Sequence, residues 1–284
     1  MRGKILVTGA TGNVGAEVVR LLRERDHQVR AADRTPNAAG PRFDDGVEQV
    51  WLDFGAPESY GPAFAGVERM FLIRPPAISD VKRFLFPAID AAKQAGVQQI
   101  VFLSLIGVER NRVVPHYKVE QYLLHSGVPY TFLRPSFFMQ NLNSTHRMEI
   151  KERSEIFVPA GTGKTSFIDV RDIAAVAALT LTEPEHTNQA YSLTGSEALD
   201  YYQVAAVLSE VLGRPIIYRK PSLLRFIRRQ RACGTAWPFV LVMSGIYTTA
   251  RLGLAARLTD ETTRLLGRAP ITLRRYAEDY RDCW

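Results

Sequence analysis

At 284 residues, 46% of them apolar and 23% charged, the chain is long enough to bury a full core as one large α/β domain or as one domain with an appended lobe. Its two cysteines, Cys233 and Cys283, lie far apart without ligand spacing, which argues against a disulfide framework or a zinc site, and no other metal centre is indicated. The formal charge of +7 and the cluster Arg225, Arg228, Arg229 and Arg231 raise nucleic-acid binding, but no aromatic interleaving or recognition motif accompanies the arginines, so a solvated helix face is expected.

The first strand is the aliphatic run Lys4 to Thr8, and it feeds Gly9, Gly12 and Gly15 and then an amphipathic stretch from Ala16 to Glu24. Strand, tight turn and helix N-terminus in that order form a diphosphate cradle. One glycine permits the turn, one lets backbone N–H groups approach a pyrophosphate, and one lets the helix pack on the sheet. The turn residues Gly9, Thr11, Gly12, Asn13, Val14 and Gly15 are therefore expected to hold a dinucleotide at the positive end of the helix. Because the strand begins at Lys4, no room is left for a targeting segment, and a cytoplasmic protein is expected.

His27 to Arg34 alternates toward a second strand whose tip lies where a dinucleotide fold reads the adenosine ribose. Asp33 there favours NAD by accepting from both ribose hydroxyls. Arg34 favours NADP by pairing with a 2′-phosphate, and both cofactors stay open with a slight preference for NADP. Val47 to Leu52 is a third strand, closed by Asp53 and Phe54, and Arg69 to Ile73 a fourth, closed by Arg74, Pro75 and Pro76. In a doubly wound sheet these tips face the cofactor, with Asp53 on the adenine amino group and Phe54 beside the ring. Alternatively, Asp53 caps its own turn.

Ser79 to Gly96 has helical spacing, Gln99 to Leu103 is a fifth strand ending at Ser104, Pro115 to Ser126 is a helix, and Tyr130 to Leu133 is a sixth strand. Six strands alternating with helices predict a parallel sheet covered on both faces. Beyond Asn143 the alternation fades. Short strands at 156–159, 190–193 and 216–219 and helices at 170–182 and 201–212 predict a smaller lobe, so the division expected is 1–142 and 143–284, with later segments also returning to the first domain. The apolar stretch Trp237 to Ala250 contains a Pro and a Gly and is too short to span a membrane; it is expected as a buried or pocket-lining helix, and no membrane partner is expected. Gly163-Lys164-Thr165 imitates a phosphate loop, but Val158 stands where that loop needs its first glycine.

The chain resembles the NmrA-like branch of the atypical short-chain dehydrogenase/reductases. The resemblance rests on the glycine turn Gly9 to Gly15, on Ser126 to Pro135 with its Leu133-Arg134-Pro135 end, on Phe138 to Asn141, on Phe167 to Ala174 and on Leu266 to Pro270. It implies an α/β fold, a Rossmann-like doubly wound parallel sheet with a smaller C-terminal α/β substrate lobe. The family includes NAD(P)H-dependent reductases of quinones, azo dyes and natural-product intermediates, and regulators that bind dinucleotide without turning it over.

The Tyr-x-x-x-Lys pair of typical short-chain reductases is absent, because Tyr117 is followed four residues later by Gln121 and Lys118 is its immediate neighbour. Related ether reductases carry a catalytic lysine eleven residues before the glycine matching Gly127, and here that position is His116. His116 is thus a candidate proton donor, with Ser104 as a hydroxyl partner and Tyr117 as a second acid; its bland alternative is a helix-start residue bonding the backbone. Pro135 and Phe137 are expected against the cofactor. Phe138 and Met139, with Trp237, Met243 and Tyr247 from the apolar helix, are expected around an apolar substrate, although a core role fits several of them equally. Asp169 and Asp172 are expected as a helix N-cap and a first-turn acid. The readings are a reductase of a hydrophobic small molecule, a dinucleotide-sensing regulator with a protein partner, or a non-redox isomerase or cyclase, as a monomer or homodimer.

Overall fold

Short aliphatic strands alternating with helices build the architecture, and the structure, a computed structural model, describes it for residues 3–35, 43 and 46–284. The first half contains β1 (Lys4–Thr8), α1 (Asn13–Glu24), β2 (Val29–Asp33), β3 (Val47–Trp51), α2 (Tyr60–Phe64), β4 (Val67–Ile73), α3 (Val81–Gln94), β5 (Gln99–Leu103), α4 (Pro115–Ser126) and β6 (Tyr130–Pro135). The second contains β7 (Phe137–Phe138), α5 (Arg147–Arg153), β8 (Glu155–Ile156), β9 (Thr165–Ile168), α6 (Val170–Thr182), β10 (Gln189–Leu193) and β11 (Ala198–Leu199). It continues with α7 (Tyr201–Leu212), β12 (Ile217–Tyr218), α8 (Leu223–Ala232), α9 (Trp237–Arg251), α10 (Glu261–Leu266) and α11 (Leu273–Asp279).

Two compact units divide the chain: Met1–Pro135 with Val170–Leu193, and Ser136–Asp169 with Thr194–Trp284. The change of unit comes at Pro135, ahead of the 142/143 break that the fading alternation suggests. Helix α6 and strand β10 are the later segments that return to the first unit.

The first unit is a seven-stranded sheet in the order β10-β6-β5-β4-β1-β2-β3, parallel throughout. This is an α/β, Rossmann-like doubly wound fold, and β1 and β4 flank the point where the strand order reverses. Its central strands are buried on both faces, which is why they read as continuous aliphatic runs. Leu6, Met70, Ile100 and Phe102 pack with Leu85 and Ile89 of α3 and Val119 of α4. On the opposite side α1 packs along α6. Each of these fully buried side chains contributes roughly 1.5–3 kcal/mol of transfer free energy.

The second unit carries a three-stranded sheet, β11-β9-β7, and a two-stranded one, β12-β8. Its core gathers Phe167, Tyr201, Phe226, Tyr247 and Tyr276. Helix α7 begins at a capping box in which Asp200 and Gln203 satisfy each other's backbone N–H groups.

Candidate functional site

The glycine turn has the geometry its sequence predicts. Gly9 sits at φ +60, a conformation that penalises any Cβ. Gly12 donates its N–H to Gly9 O at 2.9 Å and takes the N-cap position of α1, with no side-chain cap and no acidic residue in the first turn. The N–H groups of Asn13, Val14 and Gly15 therefore lie at an uncapped helix N-terminus, where helical geometry provides no carbonyl partner. A Cβ on Gly15 would stand 2.2 Å from Gly9 O, so only glycine lets the helix close on the turn. Uncapped donors, no acidic residue in the first turn of the helix and glycines at the close approaches fit a bound diphosphate.

At the adjacent strand ends, Thr8 Oγ1 donates to Phe71 O at 3.0 Å and accepts from Ile73 N at 2.8 Å. It ties the tips of β1 and β4 together at the reversal point. Sequence reasoning missed this hydroxyl, whose signal was a polar residue closing an otherwise aliphatic strand. At the tip of β2, Thr11 Oγ1 donates to Asp33 Oδ2 at 2.7 Å, and Thr35 N donates to Oδ1 at 3.2 Å. The Asp33 carboxylate is thus held within the turn, whereas Arg34 is exposed.

Beyond β3, Asp53 Oδ1 accepts from Gly55 N at 2.7 Å, the turn-capping alternative. Phe54, expected beside the adenine, is instead 7% exposed and packed in the core. Its aromatic ring is worth more buried under α2 and α3 than at a strand tip. Beyond β4, Arg74 bends back on its own loop, with Nη1 donating to Pro75 O at 2.9 Å, Pro76 O at 3.3 Å and Ile78 O at 2.6 Å.

Ser104 stands at the end of β5 and His116 at the start of α4. Arg74 Nε donates to His116 Nε2 at 3.4 Å, which makes Nε2 the acceptor and places the imidazole proton on Nδ1. Burial, and then the Arg74 charge, push the His116 pKa down to about 3. At neutral pH the ring carries no net charge and can donate a hydrogen bond through Nδ1–H. That Nδ1 and the Ser104 Oγ are both buried without a hydrogen-bond partner among the described residues, each costing about 1–3 kcal/mol if left so. Tyr117, next to His116 in sequence, is half-buried, and Lys118 is exposed.

Helix α4 is held in place by a pair that sequence reasoning also missed. Arg134 at the end of β6 grips the buried Glu120 with two hydrogen bonds, Nε at 3.0 Å and Nη2 at 2.7 Å. Glu120 is one turn beyond His116, on the same helix face. The signal was the arginine in Leu133-Arg134-Pro135, an ionic residue closing a buried strand.

In the second unit several expected substrate contacts are core residues. Met139, Met243 and Tyr247 are buried, because α9 is apolar on every side and the sequence cannot tell its inner face from its outer one. The Tyr247 hydroxyl hydrogen-bonds His146 Nε2 at 2.5 Å. Phe137 and Phe138 are half-buried, with the Phe137 ring edge-on to Phe167 at 5.6 Å. Pro135 is buried, its carbonyl accepting from Ile106 N at 3.0 Å. Trp237 is exposed, with the Arg231 guanidinium 5.0 Å above its ring. Asp169 accepts from Gln140 Nε2 at 3.0 Å and directly precedes α6, whose first turn contains Asp172.

The sequence pattern of the NmrA-like family matches residues 1–227. The chain belongs to the NmrA-like family. Among NmrA-like relatives, the NAD(P)H azoreductase of Xenophilus azovorans is 36% identical over 278 residues, 96% of each chain. Among solved structures, the triphenylmethane reductase of Citrobacter sp. complexed with NADP(H) superposes with a TM-score of 0.86 at 27% identity, covering 97% of this chain and 99% of that one. The NADPH-dependent quinone oxidoreductase of Escherichia coli complexed with NADPH has a TM-score of 0.86 at 26% identity, covering 98% and 99%.

Proposed function

We propose that the protein is an NADPH-dependent reductase of a hydrophobic small molecule with a polarised acceptor group, such as a quinone or an azo compound. The observation that carries this reading is the pair of buried, unpartnered groups Ser104 Oγ and His116 Nδ1, in the unit that also carries the glycine turn. The azoreductase, dye-reductase and quinone-reductase relatives support it. Reduced nicotinamide supplies a hydride when bound. Hydride addition to a quinone or azo group leaves negative charge on oxygen or nitrogen, and a donor already desolvated and aimed stabilises that charge without reorganisation. Ser104 Oγ–H and the neutral His116 Nδ1–H are such donors, with Tyr117 as the acid that completes protonation. Arg74 fixes the tautomer that makes His116 a donor.

NADPH is preferred over NADH in this reading. Asp33 is engaged by Thr11, while the exposed Arg34 is available for a 2′-phosphate. The test is consumption of reduced nicotinamide by the purified protein with a panel of quinones and azo dyes, comparing the two cofactors. Saturable turnover that falls in both Ser104→Ala and His116→Phe supports the reading. Tight dinucleotide binding with no turnover on any acceptor would assign the protein to the sensors instead, and product formation without nicotinamide would assign it to the non-redox enzymes.

A further inference from the structure

The positive charge of this protein is concentrated in one segment of the second unit. Between Glu210 and Asp260 the chain carries nine Lys and Arg and no Asp or Glu, against a formal +7 for the whole, so the remainder is slightly acidic. The same segment contains α8 and α9, which pack against each other. Helix α8 is anchored by the fully buried Phe226. Its opposite face presents Leu224, Arg225, Arg228 and Arg231 to solvent, which helical spacing brings to one side. Arg229 turns inward, 2.7 Å from Glu155 and 4.1 Å over the Phe157 ring, and belongs to the fold.

Helix α9 turns Val240, Met243, Tyr247 and Ala250 inward. Its outer face is apolar: Leu241 is 61% exposed, Val242 57% and Trp237 50%, with Phe239, Ile246 and the following Leu252 alongside. No charged residue lies between Arg231 and Arg251, and Ser244 is turned into the protein. The Arg231 guanidinium over the Trp237 ring joins the basic face of α8 to the start of this apolar face.

We propose that the α8–α9 face docks on an anionic lipid bilayer surface. Apolar side chains on one helix, an aromatic residue at its edge and exposed arginines on the helix beside it match the apolar-to-headgroup gradient of a membrane interface. No helix among the described residues is long and apolar enough to cross a membrane, so the contact is peripheral. A second copy is disfavoured, because a two-fold contact through this face would set the same arginines against each other. A folded protein partner is disfavoured because Thr249, whose hydroxyl already donates to Ile246 O, is the one polar side chain among the exposed residues 237–250 of α9, too few to pair with the donors and acceptors that such interfaces carry. The inference is independent of the reductase reading.

The experiment is co-sedimentation of the purified full chain with phosphatidylcholine vesicles, with and without phosphatidylglycerol, at low and high salt. Binding is expected to the phosphatidylglycerol vesicles and to weaken at high salt. Affinity should fall about fivefold for each arginine removed in Arg225→Ser/Arg228→Ser. It should fall about tenfold or more in Leu241→Ser/Val242→Ser. Thermal unfolding of each variant reports on its fold, and the arginine variant carries the test alone should the other fail to fold. The proposal is overturned if the protein stays in the supernatant with every vesicle, or if both variants bind as the parent does. It is also overturned if soluble polyglutamate is bound as tightly as the vesicles, or if Leu241→Ser/Val242→Ser converts a dimer into a monomer in sedimentation velocity.

Discussion

Arg74 Nε donates to Nε2 of His116 across 3.4 Å, a contact between a strand-end cation and a helix-start imidazole that leaves the ring neutral. Burial is the larger cause of the depressed pKa and the Arg74 charge the second. Arg74→Met should therefore raise the His116 pKa while leaving it below the ordinary 6.5, as read from the imidazole resonances in an NMR titration. A His116 resonance that titrates identically in parent and variant would remove Arg74 from this role.

The same shift predicts a pH dependence of stability. Burial and the Arg74 charge hold the His116 pKa down at about 3 in the folded protein, against the ordinary 6.5. Between those values the unfolded chain takes up a proton that the native state does not, so this group's contribution to stability is lost as pH falls from about 6.5 toward 3. The limit for one proton is a tenfold change in the unfolding equilibrium per pH unit. In urea titrations across this range, His116→Gln should lose stability less steeply than the parent. Parallel profiles for the two proteins would contradict the shift.

Gly15→Ala places a methyl group 2.2 Å from Gly9 O and 2.7 Å from Gly9 C, backbone atoms that cannot swing aside. A loss of about 1–3 kcal/mol in stability is expected from the forced displacement, with weaker dinucleotide binding because the helix end shifts from the turn. Thermal unfolding and a titration with reduced cofactor measure the two effects separately.

Arg34→Ala should weaken NADPH binding about tenfold to a hundredfold, the worth of a charge-assisted hydrogen bond, and leave NADH unchanged. Equal losses for both cofactors would show that Arg34 does not read the 2′-phosphate. Asp33→Asn is a useful contrast, because that carboxylate accepts from Thr11 and its change should disturb the turn for both cofactors alike.

Arg134→Met leaves Glu120 buried without its cation, at a cost of about 3 kcal/mol. The double variant Arg134→Met/Glu120→Met should recover much of that loss, since apolar packing replaces the pair. Denaturant unfolding of the two singles and the double closes the cycle, and a double variant as unstable as the sum of the singles would show that the two side chains act independently.

Much of the first unit was legible because its signals are local. The Gly9–Gly15 turn, the strand runs and the helical spacing of Val81, Phe84, Leu85, Ala88, Ile89 and Ala92 are written in nearby residues; the turn, the strands and α3 are present, with Phe84 half-buried and the other five buried. The seventh strand was less legible. Residues 190–193 read as a strand of the smaller lobe, but they pair with β6 in parallel, and sheet order is not encoded by chain order. The charge state of His116 was hidden for a similar reason: it depends first on burial and then on Arg74, which is distant in sequence. Helix α9 defeated the apolar-face rule because Leu241 and Val242 outside are as apolar as Val240 and Met243 inside.

The first unit is interrupted in the chain, since residues 136–169 of the second unit intervene before α6 and β10 complete it. During synthesis from the N-terminus, the β6 edge and the apolar side of α1 therefore lack their partners until about residue 193 has emerged, long after the dinucleotide turn has been made. A fragment ending near residue 142 would expose an unpaired strand edge and an uncovered helix face, both aggregation hazards. The cofactor half of this protein cannot be trimmed to a minimal module by cutting once; it would have to be rejoined across the gap, with Pro135 linked to Val170 by a designed connection.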